Sequence, residues 1–125
     1  MTLGVILAIK ENITWLDIGG KQISDDHLQI ISQFHSLTKL NLNSNPVSNK
    51  NLAALAELKY LESLNLFNTE VGDEGVKFLG KLPSLKRVYL WNTQVTSSGI
   101  EQLRESHKDL EIDTGSQFIP TPLLE

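Results

Sequence analysis

Three short stretches carry the residue types from which chemistry is built. "IDTGS" at Ile112–Ser116 sets an apolar residue before Asp-Thr-Gly, the pattern that in peptide hydrolysis holds a catalytic carboxylate. That reaction needs two carboxylates sharing one proton, and a single copy of the motif supplies two only in a symmetric dimer. "SDDH" at Ser24–His27 places two carboxylates beside an imidazole. Metal ligands on a helix stand four residues apart, as in His-Glu-x-x-His, and no further ligand lies in range. Asp25 and Asp26 are better placed to meet the positive end of a helix. "GDEG" at Gly72–Gly75 lacks the later oxygen ligands of a calcium loop. His35 and His107 are isolated, and no Gly-rich phosphate loop occurs. The chain has no cysteine, which excludes thiol catalysis, disulfides and zinc–thiolate sites. The expectation is a non-catalytic protein with no metal and no cofactor.

The elements that hold these residues recur along the chain. Four segments align without gaps from Ile13, Leu37, Leu61 and Leu85, each start 24 residues after the last. The units are 13–36, 37–60, 61–84 and 85–109, the fourth one residue longer. A fifth begins at Leu110 and breaks off in a tail, 110–125. Apolar columns run through all four: Ile13, Leu37, Leu61 and Leu85; Leu16, Leu40, Leu64 and Val88; Ile18, Leu42, Leu66 and Leu90; Ile23, Val47, Val71 and Val95. Later columns are Leu28, Leu52, Val76 and Ile100, then Ile31, Leu55, Leu79 and Leu103. The last, Phe34, Leu58 and Leu82, ends in Ser106. "LTKLNL" alternates with period two and reads as a strand, whereas Leu52, Leu55 and Leu58 have helical spacing. Ser24, Ser48, Gly72 and Thr96 precede the helical parts, and the three hydroxyl residues can cap them. Parallel strands stack about 4.8 Å apart and helices need roughly 8–10 Å. The array must therefore curve, with strands inside and helices outside. No unit buries its apolar face alone, so the stack is the core.

The columns resemble the leucine-rich repeat pattern LxxLxLxxN/CxL, in units of 20–29 residues, over residues 13 to 115. The resemblance implies an α/β right-handed solenoid, a short horseshoe with a parallel β-sheet on the concave face and helices on the convex face. It also implies that Asn45, at the polar position after the strand, bonds the backbone of the neighbouring turn. Thr69 and Thr93 can do part of that work, but Lys21 cannot accept a hydrogen bond, so the first turn should be less regular. "LNLFNTEV", "VYLWNTQV" and "IDTG" resemble, more narrowly, the leucine-rich tails of bacterial membrane-anchored proteins with a c-type haem domain. That likeness implies an extracytoplasmic tail. This chain itself carries no Cys-x-x-Cys-His.

The register assigns each strand's outward residues. Leu90 is in the buried column, so Tyr89 and Trp91 face the concave side. One concave column is Trp15, Lys39, Ser63 and Arg87. The next is Asp17, Asn41, Asn65 and Tyr89, and the third Gly19, Asn43, Phe67 and Trp91. Phe67, Tyr89 and Trp91 should form an aromatic cluster ringed by Arg87, Asn41, Asn43 and Asn65, with Lys39 and Trp15 beyond. Aromatics with Arg and amide neighbours are the composition of binding hot spots. The expected function is recognition of a protein or peptide through this face. The alternatives are a glycan stacked on the aromatics and a structural tail that docks on its parent chain or self-associates.

A length of 125 residues, 40% hydrophobic and 21% charged, suits one globular domain. Net charge is −4, and the Lys and Arg residues are scattered where a nucleic-acid binder would show a basic patch. The opening run Leu3–Ile9 is far short of the roughly 20 apolar residues of a membrane span, so residues 1–12 read as an N-terminal cap. Pro120 and Pro122 stop any helix in the tail, where Phe118, Ile119, Leu123 and Leu124 could cover the open end of the array.

Overall fold

The structure, a computed structural model, describes residues 11–50 and 52–115. Five three-residue strands, β1 (Trp15–Asp17), β2 (Lys39–Asn41), β3 (Ser63–Asn65), β4 (Arg87–Tyr89) and β5 (Glu111–Asp113), form one parallel sheet in chain order. Every strand residue pairs with the one 24 positions later, as in Leu16↔Leu40, Leu40↔Leu64, Leu64↔Val88 and Val88↔Ile112. Such short strands hold because their bonding continues past their ends, through Leu42 N–H to Asn65 C=O at 2.9 Å, Leu66 N–H to Tyr89 C=O at 2.9 Å and Leu90 N–H to Asp113 C=O at 2.8 Å.

The fifth unit shows what the register protects. Leu110 N–H bonds His107 C=O just as Leu85 N–H bonds Leu82 C=O, so Leu110 takes the place of Leu85 although it lies one residue late. The strand that follows is nevertheless in register, because Ile112 is two residues after Leu110 and Val88 is three after Leu85. A one-residue slip would turn Ile112 to solvent.

The apolar columns form the core. Leu37, Leu40, Leu42, Leu61, Leu64, Leu66, Leu85, Val88 and Leu90 are buried, as are Leu52, Leu55, Leu58, Leu79 and Leu82. Ile13, Leu16, Ile18 and Ile23 are only half-buried, because among the described residues the first unit has a neighbour on one side only. The region assigned to an N-terminal cap lies mostly outside the described residues, as does the tail from Ser116.

The convex side departs from four regular helices. It consists of a 3-10 turn at Asp25–His27 running into a single α turn, Leu28–Ile31; a 3-10 helix, Leu52–Glu57; an α turn, Asp73–Val76, followed by a 3-10 turn, Leu79–Lys81; and a ten-residue α-helix, Ser97–Ser106. The apolar columns here are spaced by three, which matches the three residues per turn of a 3-10 helix. A 3-10 segment also rises about 2.0 Å per residue against 1.5 Å for an α-helix, so few residues return the chain to the next strand. The unit with one extra residue is the one that forms a full helix.

A ladder of side chains joins the helix entries. Asp25 accepts from Ser48 N–H at 2.9 Å and from the Ser48 hydroxyl at 2.6 Å. Asn49 Oδ1 accepts from Gly72 N–H and Gly75 N–H, both at 2.9 Å. Asp73 accepts from Thr96 N–H at 2.8 Å and the Thr96 hydroxyl at 2.6 Å. The Thr96 hydroxyl, and then its backbone N–H, hold the Asp73 carboxyl below the usual carboxylate range. Of the expected caps, Thr96 accepts from Gly99 N–H at 3.3 Å, and Ser48 is engaged chiefly by Asp25. Each rung approaches the next backbone so closely that only glycine fits beneath the last two: a Cβ would lie 2.4 Å from Asn49 Oδ1 at position 75 and 2.2 Å from Asp73 Oδ1 at position 99.

Candidate functional site

The residues whose types could do chemistry are tied into the fold. Asp25 binds the next unit, as described above, and His27 Nδ1 accepts from Ser24 N–H at 3.0 Å. Asp113 of "IDTGS" accepts from Gly115 N–H at 2.9 Å, a local turn. Among the described residues no cluster of three or more His, Asp or Glu could hold a metal ion, and no helix is long and apolar enough to cross a membrane.

At the strand ends a second polar ladder forms. Asn45 makes five hydrogen bonds, accepting from Lys21 N–H and Ile23 N–H and donating to the carbonyls of Ile18, Leu42 and Asn43. It thus stitches the second turn to the first, as the repeat pattern implies. Thr69 and Thr93 donate to Leu66 C=O and Leu90 C=O within their own turns. The first turn is the irregular one: Gln22 adopts φ 59°, whereas its counterparts Pro46, Glu70 and Gln94 are not left-handed. The left-handed position shared by the first four turns holds Gly20, Ser44, Asn68 and Asn92. Asn tolerates that conformation better than most side chains. Asn92 Nδ2 donates to Asn68 Oδ1 at 2.7 Å, and Asn68 Nδ2 to Ser44 Oγ at 3.2 Å, so these amides line the rim of the face.

The concave face itself has two parts. In the middle column Asp17, Asn41 and Asn65 each accept from the N–H two residues on, at Gly19, Asn43 and Phe67, over 2.9–3.1 Å. These side chains close the strand ends. Asn43 Nδ2 also donates to Asn41 Oδ1 at 2.6 Å. Tyr89 breaks the column, and its hydroxyl accepts from Arg87 Nη1 at 3.4 Å.

Of the three expected aromatics two meet; among the described residues Tyr89 has no ring contact with them, its hydroxyl meeting Arg87 instead. Phe67 and Trp91 stack with centroids 4.1 Å apart and planes 34° apart, close enough for a favourable pair. Phe67 is half-buried, while Trp91 remains 44% exposed. Gly115 was not foreseen as part of this site. A Cβ there would lie 2.4 Å from Trp91 Cγ, so the indole is wedged between Phe67 and the Gly115 backbone. The signal was available: Gly115 stands in the same column as Gly19, Asn43, Phe67 and Trp91.

Arg87 is exposed and fixed. Its Nε donates to Glu111 Oε1 at 2.8 Å, and its Nη2 also pairs with that oxygen. The Tyr89 hydroxyl and Glu111 raise its pKa, so the guanidinium is charged at any working pH. Trp15 is 68% exposed at the far end of the sheet, with Lys39 Nζ 5.4 Å above its ring, and it takes no part in the cluster. Two hollows flank the aromatics. One, of about 390 Å³, opens at the end of the array over Leu90, Val95 and Ile100, with Trp91 and Thr114 at its lip. Phe118, Ile119, Leu123 and Leu124, expected to cover that end, lie outside the described residues. The other, of about 420 Å³, lies on the concave face between Lys39, Ser63 and Arg87.

Comparison with known proteins supports the same reading. The family model for the Leucine Rich repeat matches residues 35–56 and 57–80. No curated protein matches the sequence. Among solved structures, an internalin from Listeria monocytogenes is 27% identical with a TM-score of 0.71, over 90% of this chain and 31% of that one. A leucine-rich repeat protein of Leptospira interrogans is 25% identical with a TM-score of 0.58, over 68% of this chain and 21% of that one. The chain therefore spans about a third or less of these proteins. With its 24-residue period, in-register parallel sheet and Asn45 rung, the chain has a leucine-rich repeat fold and is similar to leucine-rich repeat proteins of bacteria.

Proposed function

We propose that the chain binds a protein or peptide through its concave face, with Phe67, Tyr89 and Trp91 as the anchor and Arg87 beside them. Leucine-rich repeat domains generally mediate protein–protein interaction and are typically non-enzymatic. The observation that carries the reading is the exposed Trp91 packed on Phe67 on the open face. A peptide is favoured over a glycan because most of the nearby amides are already occupied. Asn41 and Asn65 accept from the backbone, and Asn92 and Asn68 are bonded along the rim. A sugar would need those groups free.

The test is selection of random displayed peptides on the full chain, followed by binding measurements with variants. Trp91→Ala should weaken the selected peptides by about 2 kcal/mol, the scale of a hot spot, or roughly thirtyfold. It should leave the protein folded, because the aromatic pair is worth only about 0.5–1.5 kcal/mol beyond its area burial. A selection whose peptides bind Trp91→Ala as well as the parent would sink this reading. Glycan-array binding that is lost with Trp91→Ala, in the absence of selected peptides, would replace it.

A further inference from the structure

The concave hollow beside the aromatics has its own chemistry, and its meaning rests on the peptide-binding reading above. Lys39, Ser63 and Arg87 are register neighbours on β2, β3 and β4. At about 4.8 Å per strand, the two cationic residues arise roughly 10 Å apart on either side of the small Ser63. Three cations and two anions line the hollow. Lys86 lies 3.8 Å from Glu62, and Arg87 pairs with Glu111. Among the described residues, Lys39 has no carboxylate within ion-pair distance, its ammonium being held over Trp15. The Ser63 hydroxyl makes no hydrogen bond among them either. Arg87 has five N–H donors, of which Glu111 takes two and Tyr89 one. The hollow therefore presents one uncompensated positive charge, a free hydroxyl and spare guanidinium donors around the space at Ser63.

We infer that this hollow is a carboxylate-binding subsite. The partner segment would then carry an acidic group about four residues from the apolar residue seated on Phe67 and Trp91. The spacing follows from the sheet. Phe67 is four residues after Ser63, two past the end of β3, about 13 Å for extended chain, and an extended peptide lying along β3 and past its end covers that distance with a similar number of residues. Such a two-point contact sets orientation as well as affinity, because the charge and the apolar residue engage opposite ends of the strands.

The experiment uses the same selection with a displayed library of random peptides joined at their C-termini, which therefore offer only side-chain carboxylates. The expected result is enrichment of Asp or Glu at a fixed spacing of three to five from Trp, Phe or Leu. Synthetic versions should bind about tenfold more weakly when Glu is replaced by Gln. Lys39→Ala should reproduce that loss for the Glu peptide and leave the Gln peptide unchanged. Lys39 is exposed, so this variant tests charge rather than folding. A synthetic free acid compared with its amide separates a chain-terminal carboxylate from a side-chain one; preference for the free acid would keep the subsite and move its ligand to a peptide end. Peptides that need Trp91 yet show no acidic preference, and lose less than twofold with Lys39→Ala, would overturn the subsite while leaving the concave-face reading intact. Peptides indifferent to Trp91 would overturn both.

Discussion

The contact between the first and second units and the contact between the third and fourth share one backbone register and are held by different forces. At the first, Asn45 bridges two turns with five hydrogen bonds, while Ile13, Leu16, Ile18 and Ile23 are half-buried. At the second, Thr93, which stands where Asn45 does, bonds only within its own turn, while Leu61, Leu64, Leu66, Leu85, Val88 and Leu90 are buried. The difference extends to the open face. Asp17, Asn41 and Asn43 are tied into strand ends at the polar contact. Phe67 and Trp91 stand free of such bonds at the apolar one and stack on each other. Asp73–Thr96 and Asn92–Asn68 bonds also cross that contact, at the helix entry and the rim, but where apolar burial rather than a buried amide closes the turn, the outward aromatic side chains are available for a ligand.

The largest expected effect tests the apolar contact. Leu66 is fully buried where the third and fourth units meet, and Leu66→Ala should cost about 2–5 kcal/mol through the cavity it opens. Chemical denaturation measures this. A loss below about 1 kcal/mol would place Leu66 outside a close-packed core and undo the comparison. Next is the polar contact. Asn45→Ala leaves Lys21 N–H, Ile23 N–H and Ile18 C=O without their partner, and should cost about 1–3 kcal/mol. The damage should be local, so amide exchange should quicken at Lys21 and Ile23 while Leu66 and Leu90 keep their protection. Uniform loss of protection would mean that the two contacts are not separately held.

The smallest effect sharpens the comparison on the convex side. The Asp73 carboxyl is held below its usual range by Thr96. A carboxylate whose pKa is lower folded than unfolded adds stability above the unfolded value, near 3.9. That stability is lost as pH falls through the folded value. The wild-type advantage in melting temperature over Asp73→Asn should therefore be constant from neutral pH to about 5 and shrink below about 4. An advantage unchanged at pH 2 would show that the amide fails for reasons of shape rather than charge.

Much of this was legible in the sequence. The period, the columns and the strand register follow from apolar spacing, because a period-two strand can bury only one of its faces. That same spacing put Phe67, Tyr89 and Trp91 on the open side, and the resemblance to leucine-rich repeats implied Asn45 as a rung. Tertiary structure decided the rest, since it depends on what lies one unit away. Asp25 and Asp73 were read as helix-entry charges or motif fragments, yet their oxygens reach 23 residues ahead to Ser48 and Thr96, a distance no local pattern encodes. Asn41 and Asn65 were read as binding groups, yet their carbonyl oxygens turn back on their own strand ends. Spacing by three suits either kind of helix, and the length left for the return path selected 3-10 turns in most units. The register places Gly115 in the column of Trp91, but only the packed sheet shows that its missing Cβ makes the space in which Trp91 rests against Phe67.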